Sequence, residues 1–347
     1  MRDIAVTVLT GFLGSGKTTL LNRLLADPAM AGTAVVINEF GEIGIDDVLI
    51  ARASRDAILL NSGCVCCTVK DDLTTTLQAL VFQALQGEIS AFRRVVIETT
   101  GLADPGPVLQ ILINDPMLAG YYRVGGVITT VDAVNGARTL DEHEEAVRQA
   151  AIADRLLLTK ADLAAPQAVE LLVARLEHLN PTARRYRVID GEIRADLLFD
   201  TGLFDPVTKT ADVQRWLNVD ALVARDERPA PHAPGQPDVH GHGHDHGIQS
   251  FAVVRDEPLS RRAFARWIGT MAARRGPDML RVKGIVNLKE DPGAPWVVHG
   301  VQDVFHPPAR LAAWPTEDHR TRLVFVTRDL AKDLVEETLR IFDQQET

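Results

Sequence analysis

Short apolar runs alternate with helix-spaced apolar stripes along the first half of the chain. Ile4-Ala5-Val6-Thr7-Val8-Leu9 comes first, followed by Leu20, Leu21, Leu24 and Leu25 at helical spacing, and then by the run Ala34 to Ile37. The same alternation continues with Leu73, Leu77, Leu80, Val81 and Ala84 on one helical face, with the strand-like runs Arg94-Val95-Val96-Ile97 and Asp154-Arg155-Leu156-Leu157-Leu158, and with a helix over Pro166 to Leu179 and a short strand near Tyr186 to Ile189. Runs that are apolar at every position mark strands covered on both faces, and strands alternating with helices build a mostly parallel sheet. This half therefore predicts an α/β domain. The rhythm changes after residue 247. Strands near Gln249 to Val254, Leu280 to Leu288, Trp296 to Val301 and Arg322 to Val326 surround helices near Ser260 to Arg274 and Leu330 to Phe342. That β-α-β-β-β-α order predicts a smaller α+β domain, an antiparallel-type sheet with its helices on one face.

Between the two halves the pattern stops. Pro229, Pro231, Pro234 and Pro237 alternate with small residues, and His240-Gly241-His242-Gly243-His244-Asp245-His246-Gly247 follows. Prolines and glycines at this density prevent regular structure, so residues 226–247 read as an exposed linker between a first domain at 1–225 and a second at 248–347.

Composition narrows the possibilities. A chain of 347 residues with 46% hydrophobic side chains can bury a substantial core and divide into two domains. A net charge of −10 with no dense Lys/Arg block excludes a sequence-independent grip on nucleic acid, whose phosphates demand a basic face. Met1-Arg2-Asp3-Ile4 lacks the basic start and apolar core of a signal peptide, and no apolar run is long enough to cross a bilayer. The expectation is a cytoplasmic protein with no membrane partner, a monomer or weak homo-oligomer.

Candidate chemistry begins where the first apolar run ends. Gly11-Phe12-Leu13-Gly14-Ser15-Gly16-Lys17-Thr18 is a complete G-x-x-x-x-G-K-T phosphate loop, preceded by a strand and followed by a helix as the motif requires. Glycines let successive amide N–H groups turn inward around an anion, and the helix starting near Gly16 adds its positive end. Gly14, Ser15, Gly16, Lys17, Thr18 and Thr19 are thus the predicted phosphate cradle, with Lys17 reaching the outer phosphates and the Thr18 hydroxyl holding Mg²⁺. The run Arg94 to Ile97 delivers Glu98 at a strand's C-terminal end, where α/β proteins bring an acid to the Mg²⁺ shell, and the Gly101 amide is placed to sense a third phosphate. Thr159-Lys160-Ala161-Asp162 is similar to the [NT]-K-x-D motif in which the acid accepts two N–H bonds from guanine, which favours GTP over ATP. Asn38 to Asp47, rich in glycine and acids, is the candidate mobile loop, and its Glu42, Asp46 and Asp47 could hold metal, position water or face solvent.

All three cysteines fall within Cys64-Val65-Cys66-Cys67. A stretched tetrapeptide separates its outer side chains by about 10 Å, but a tight turn, permitted by Gly63, gathers them around one tetrahedral ion. A Cys64–Cys67 disulfide with Cys66 spare, or three inert buried thiols, are the competing readings. Thiolates favour zinc or copper(I). Three of them leave a tetrahedral ion one ligand short, a place for water or a movable Glu42, which suits a carrier. His240, His242, His244 and His246 on a flexible tether can chelate zinc, nickel or cobalt, or can serve merely as polar linker; His143, His178, His299, His306 and His319 are isolated and read as ordinary surface or core residues.

With these stretches in their order, together with Asn38-Glu39-Phe40-Gly41-Glu42 and Glu98-Thr99-Thr100-Gly101-Leu102-Ala103-Asp104-Pro105, the chain resembles P-loop GTPases of the CobW family over nearly its whole length. The resemblance implies a P-loop NTPase domain followed by a CobW-type C-terminal domain, and Mg²⁺-dependent GTP hydrolysis coupled to metal handling at Cys64, Cys66 and Cys67. Zinc is the first metal it implies, with cobalt or nickel as alternatives, and a client metalloprotein is the partner. One departure stands out: Ile37 occupies the place where some members carry a metal-binding acid. A metal buffer would not need three nucleotide motifs in order, and a P-loop kinase would have no use for Thr159 to Asp162. The alternatives to a metallochaperone are a redox- or metal-sensing regulatory GTPase, or a metal buffer or storage protein without a delivery role.

Overall fold

The computed structural model describes residues 4–38, 58–61, 69–199 and 247–345. They form two compact units. The first takes residues 4–139, 148–175 and 183–199 of the described chain, and the second takes 140–147, 176–182 and 247–345. Of the candidate mobile loop Asn38 to Asp47, residues 39–47 lie outside the described residues, as do the cysteine cluster at 64–67 and the linker histidines at 240–246.

Seven strands make the sheet of the first unit: β1 (Ile4–Gly11), β2 (Thr33–Asn38), β3 (Ile58–Asn61), β4 (Arg94–Thr99), β5 (Tyr122–Asp132), β6 (Arg155–Thr159) and β7 (Arg184–Val188). Their order is β3-β2-β4-β1-β5-β6-β7, and all six pairings are parallel. Every residue of β1, β4 and β6 is buried, which is why apolar residues occupy both faces of these strands instead of alternating with polar ones. Helix α1 (Lys17–Leu25) covers one face with Leu20, Leu21, Leu24 and Leu25, packed with Leu9, Val35, Val96 and Leu157. Each of these side chains contributes about 1.5–3 kcal/mol of burial. Helix α2 (Val69–Gln86) carries the predicted stripe: Leu73, Leu77, Leu80 and Val81 are buried, whereas Ala84 is half-buried near the helix end. The edge strand β7 begins two residues before the expected start, because its mixed polar pattern follows from having one free edge, and Ile189 leaves it for a turn in which Asp190 adopts φ 50° and Gly191 φ 73°.

Chain direction across the sheet reverses at β1, with β2, β3 and β4 on one side and β5, β6 and β7 on the other. Loops leaving the C-terminal ends of β1, β4, β5 and β6 converge there, the place where open α/β sheets bind ligands.

The second unit is antiparallel, as the sequence predicts. Strands β8 (Ile248–Arg255), β9 (Arg281–Leu288), β10 (Asp291–Val301), β11 (Val304–Phe305) and β13 (Thr321–Arg328) run in the order β11-β10-β9-β13-β8, with β12 (Ala309–Arg310) paired to β10. Helices α3 (Gly106–Asn114), α4 (Glu144–Ile152) and α5 (Pro166–Leu179) precede this sheet in the chain, and α6 (Arg261–Arg275) and α7 (Lys332–Gln344) lie within its part of the sequence. Trp267 of α6 and Val335 and Leu339 of α7 pack with Phe251, Val253, Leu323 and Phe325 from one face of the sheet. Ser260, expected inside α6, caps it by accepting from the Ala263 amide at 3.3 Å. Likewise α7 starts at Lys332, because Asp329 turns the chain at φ 50° and Leu330 is buried in that turn.

Candidate nucleotide-binding site

The phosphate loop follows from the end of β1. Gly11 takes φ 143°, and a Cβ there would lie 2.2 Å from Thr130 Oγ1 and 2.7 Å from Ser15 Oγ, so only glycine lets β1 pass this close to β5. Gly14 and Gly16 also take positive φ, 72° and 90°, and Gly16 forms the N-cap of α1. The loop is braced from the neighbouring strands. Ser15 and Thr130 hydroxyls are 2.7 Å apart, and Thr159 Oγ1 donates to the Ser15 carbonyl at 2.7 Å. Lys17 is buried, its ammonium donating to the carbonyls of Gly11 at 2.8 Å and Phe12 at 3.3 Å. Its charge therefore sits inside the turn whose amides would face the phosphates. Thr19 is exposed on the first turn of α1.

Glu98 lies beside the loop. Register pairs it with Leu9 of β1 and Ile37 of β2, and it is buried at the sheet's C-terminal edge. Thr18 Oγ1 donates to Glu98 Oε1 at 2.9 Å. A hydroxyl and a carboxylate in contact at the mouth of a phosphate loop are hard oxygen donors, the ligand class that suits Mg²⁺. Behind Glu98, Thr99 donates to Thr10 Oγ1 at 2.8 Å and ties the ends of β4 and β1 together. Gly101 touches the loop directly: an added Cβ would fall 2.6–2.8 Å from atoms of Leu13.

On the opposite side Thr159, Lys160 and Asp162 follow β6. Lys160 has φ 55°, and its ammonium bridges the Gly14 carbonyl and Asp132 Oδ2, both at 2.8 Å. Asp162 is exposed. The structure thus gathers Gly14 to Thr18, Glu98, Gly101 and Thr159 to Lys160 at one end of one sheet. The predicted metal ligands Glu42, Cys64, Cys66, Cys67 and the four linker histidines lie outside the described residues, and among the described residues no three His, Cys, Asp or Glu side chains gather as a metal site.

Three participants escape the motif reading. Asp132 ends β5 and is nearly buried, accepting from Lys160, from the amides of Val134 and Asn135 and from the Asn135 side chain. Burial pushes its carboxyl up, but these bonds, led by Lys160, outweigh burial and hold it below the usual carboxylate range. Its signal was present, a β-branched run ending in an acid, the same pattern that marks Glu98. Thr130 carries no motif at all. Gln149, on α4, hydrogen-bonds the turn after Glu98, and its only trace in the sequence is a polar residue among Ala146, Val147, Ala150 and Ala151.

Comparison with known proteins agrees with this geometry. Residues 5–187 match the CobW/HypB/UreG nucleotide-binding domain, and residues 248–342 match the cobalamin synthesis protein CobW C-terminal domain. The chain is 33% identical over 333 residues to the zinc chaperone YjiA of Escherichia coli, covering 96% of each. It is 30% identical over 358 residues to the zinc chaperone CobW of Pseudomonas aeruginosa, covering 98% of this chain and 92% of that one. Its fold is similar to the crystal structure of Zn(II)-bound YjiA GTPase from Escherichia coli, with a TM-score of 0.73 and 29% identity over 99% of both chains. The phosphate loop, the strand-end acid and the two-domain order all belong to one lineage, and the chain is a member of the CobW family.

Proposed function

We propose that the protein is a cytoplasmic GTPase that binds zinc and delivers it to a client metalloprotein under nucleotide control. The observation that carries this reading is the convergence of the braced phosphate loop, the Thr18–Glu98 pair and the Lys160 bridge at one sheet end, in a chain whose relatives are named zinc chaperones. In this reading the chain divides into a first domain at 1–225 and a second at 248–347, joined by the linker at 226–247. No helix among the described residues is long and apolar enough to cross a membrane.

In this reading the loop amides and Lys17 bind the phosphates of GTP, and Lys17 stabilises the charge that develops on the transferring phosphoryl. To do so its ammonium leaves the carbonyls of Gly11 and Phe12, a rotation of a flexible side chain. Thr18 and Glu98 would hold Mg²⁺, which would supply positive charge against the phosphates. Lys160 spans phosphate loop and base site, and Asp162 accepts from guanine. Gly101 offers its amide to the third phosphate. Cys64, Cys66 and Cys67, with Glu42 or water as fourth ligand, take zinc as cargo. An incomplete thiolate set permits exchange where a closed one does not. The linker histidines add a weaker, faster-exchanging set for zinc, cobalt or nickel.

The test is zinc titration of the full-length protein and of Cys66→Ala, each with GDP and with a non-hydrolysable GTP analogue. Wild type should bind zinc with an affinity that differs between the two nucleotides by about 5–150-fold, the range of typical allosteric coupling. Cys66→Ala should lose both the tight binding and the difference. Equal zinc affinity in the two nucleotide states would defeat the delivery reading and leave a GTPase beside an independent metal store.

A further inference from the structure

The turn Thr100 to Asp104, directly after Glu98, is held from behind by one side chain that no nucleotide motif contains. Gln149 lies in α4 and is fully buried. Its Nε2 donates to two carbonyls of this turn, Gly101 at 3.1 Å and Ala103 at 3.0 Å. Two acceptors two positions apart set the curvature of the segment between them. The turn closes with the Ala103 amide donating to the Thr100 carbonyl at 3.1 Å. Gln149 is itself anchored, because its main-chain carbonyl accepts from Thr129 Oγ1 of β5 at 2.8 Å. On the other side of the turn, Gly101 is pressed against Leu13 of the phosphate loop so closely that a Cβ would lie 2.6 Å away. The turn is therefore gripped between the phosphate loop and Gln149.

The grip is incomplete in a specific way. Both Nε2 protons are used, while Oε1 is buried with no hydrogen-bond partner among the described residues. A buried acceptor left idle is costly and calls for an explanation, and a second bonding arrangement would supply one. The amide of a neighbouring residue in the same turn is the group such an acceptor would take, if the peptide planes rotate. Rotation of the peptide planes around Gly101 also decides whether its N–H points at a third phosphate.

We propose that Gln149 is a positioning residue that sets the orientation of the Gly101–Ala103 turn against the phosphate loop and so fixes how strongly the protein distinguishes GTP from GDP. The idle Oε1 provides the second bonding mode, accepting an N–H of the turn in one nucleotide state, while Nε2 holds the carbonyls in the other. This inference rests on the reading above that the Gly101 amide meets the third phosphate.

The experiment uses the full chain and three variants, Gln149→Met, Gln149→Asn and Gly101→Ala, with fluorescent GDP and a fluorescent non-hydrolysable GTP analogue as probes and kcat and KM for GTP measured alongside. Methionine keeps the length without hydrogen bonds. Asparagine keeps the amide but is one methylene too short to reach both carbonyls, and it serves if methionine fails to fold. Both Gln149 variants should keep GDP affinity within about two-fold while losing about ten-fold in analogue affinity and ten-fold or more in kcat, the signature of an interaction specific to one state. Equal losses for both nucleotides with a lower melting temperature would show a purely structural role and overturn the proposal. A normal analogue-to-GDP ratio in the Gln149 variants, with Gly101→Ala reducing it, would also overturn it. An unchanged ratio in Gly101→Ala would instead remove the underlying reading of Gly101.

Discussion

At Gly11 backbone and side-chain chemistry meet at one atom, the Cβ that glycine lacks. With φ 143° and Thr130 Oγ1 2.2 Å from the missing position, Gly11→Ala forces both backbone strain and a clash with β5. Strain and overpacking together should cost about 2–4 kcal/mol, seen as a lower urea midpoint, with nucleotide binding impaired beyond the loss of stability. Residue identity here was legible in advance, since the motif names its glycines. Lys17, Thr18 and Glu98, also named from their motifs, lie together at the end of the sheet beside the phosphate loop. Identity was not enough for Asp132, Thr130 and Gln149. Their roles depend on strands and a helix 28 to 115 residues away from the groups they hold, as in Lys160 with Asp132, Gly101 with Gln149 and Ser15 with Thr130. A hydrogen bond across such a separation leaves no pattern in the chain, because a single threonine or glutamine is compatible with many environments.

Among the elements, β9 and β10 show how a strand can carry charge inside. Lys283 and His299 are opposite one another in the register of these two strands, on the sheet face away from α6 and α7. Arg281, Lys283 and His299 are all buried, and the His299 and His306 rings lie 5.1 Å apart. Burial first, then the charges of Arg281, Lys283 and His306, push the His299 imidazole well below the ordinary 6.5. The unfolded chain therefore binds a proton that the folded one refuses. Stability is full above the unfolded value of 6.5 and falls as the pH drops below it, by up to about 1.4 kcal/mol per unit until the folded imidazole itself titrates. Thermal melting at pH 7.5 and 5.5 should show this loss in wild type, and His299→Phe should flatten it; an unchanged slope in the variant would assign the acid sensitivity elsewhere. The long elements were readable from period and length. The two-residue strands β11 and β12 were not, because pairing that short has no period and exists only where β10 offers an edge.

For the molecule as a whole, the proposed delivery role stands or falls on linkage between nucleotide and metal. Free energy is a state function, so a nucleotide that changes zinc affinity obliges zinc to change nucleotide affinity by the same factor. Analogue affinity measured with and without zinc should reproduce the factor found in the zinc titration, and Cys66→Ala should abolish it; two unequal factors would mean that the two experiments report different sites. Amino-acid order alone determined the two-domain division, the parallel and antiparallel classes of the sheets, the phosphate loop and the family, because each depends on local period, local backbone chemistry or motifs contiguous in the chain. Only the tertiary structure decided which strands flank β1, how the Gly14 carbonyl, Asp132 and Lys160 become one bridge, and that a buried glutamine grips the turn beyond Glu98. Those depend on packing between segments far apart in the chain, where the energy of a contact is set by the geometry of both partners and not by the identity of either.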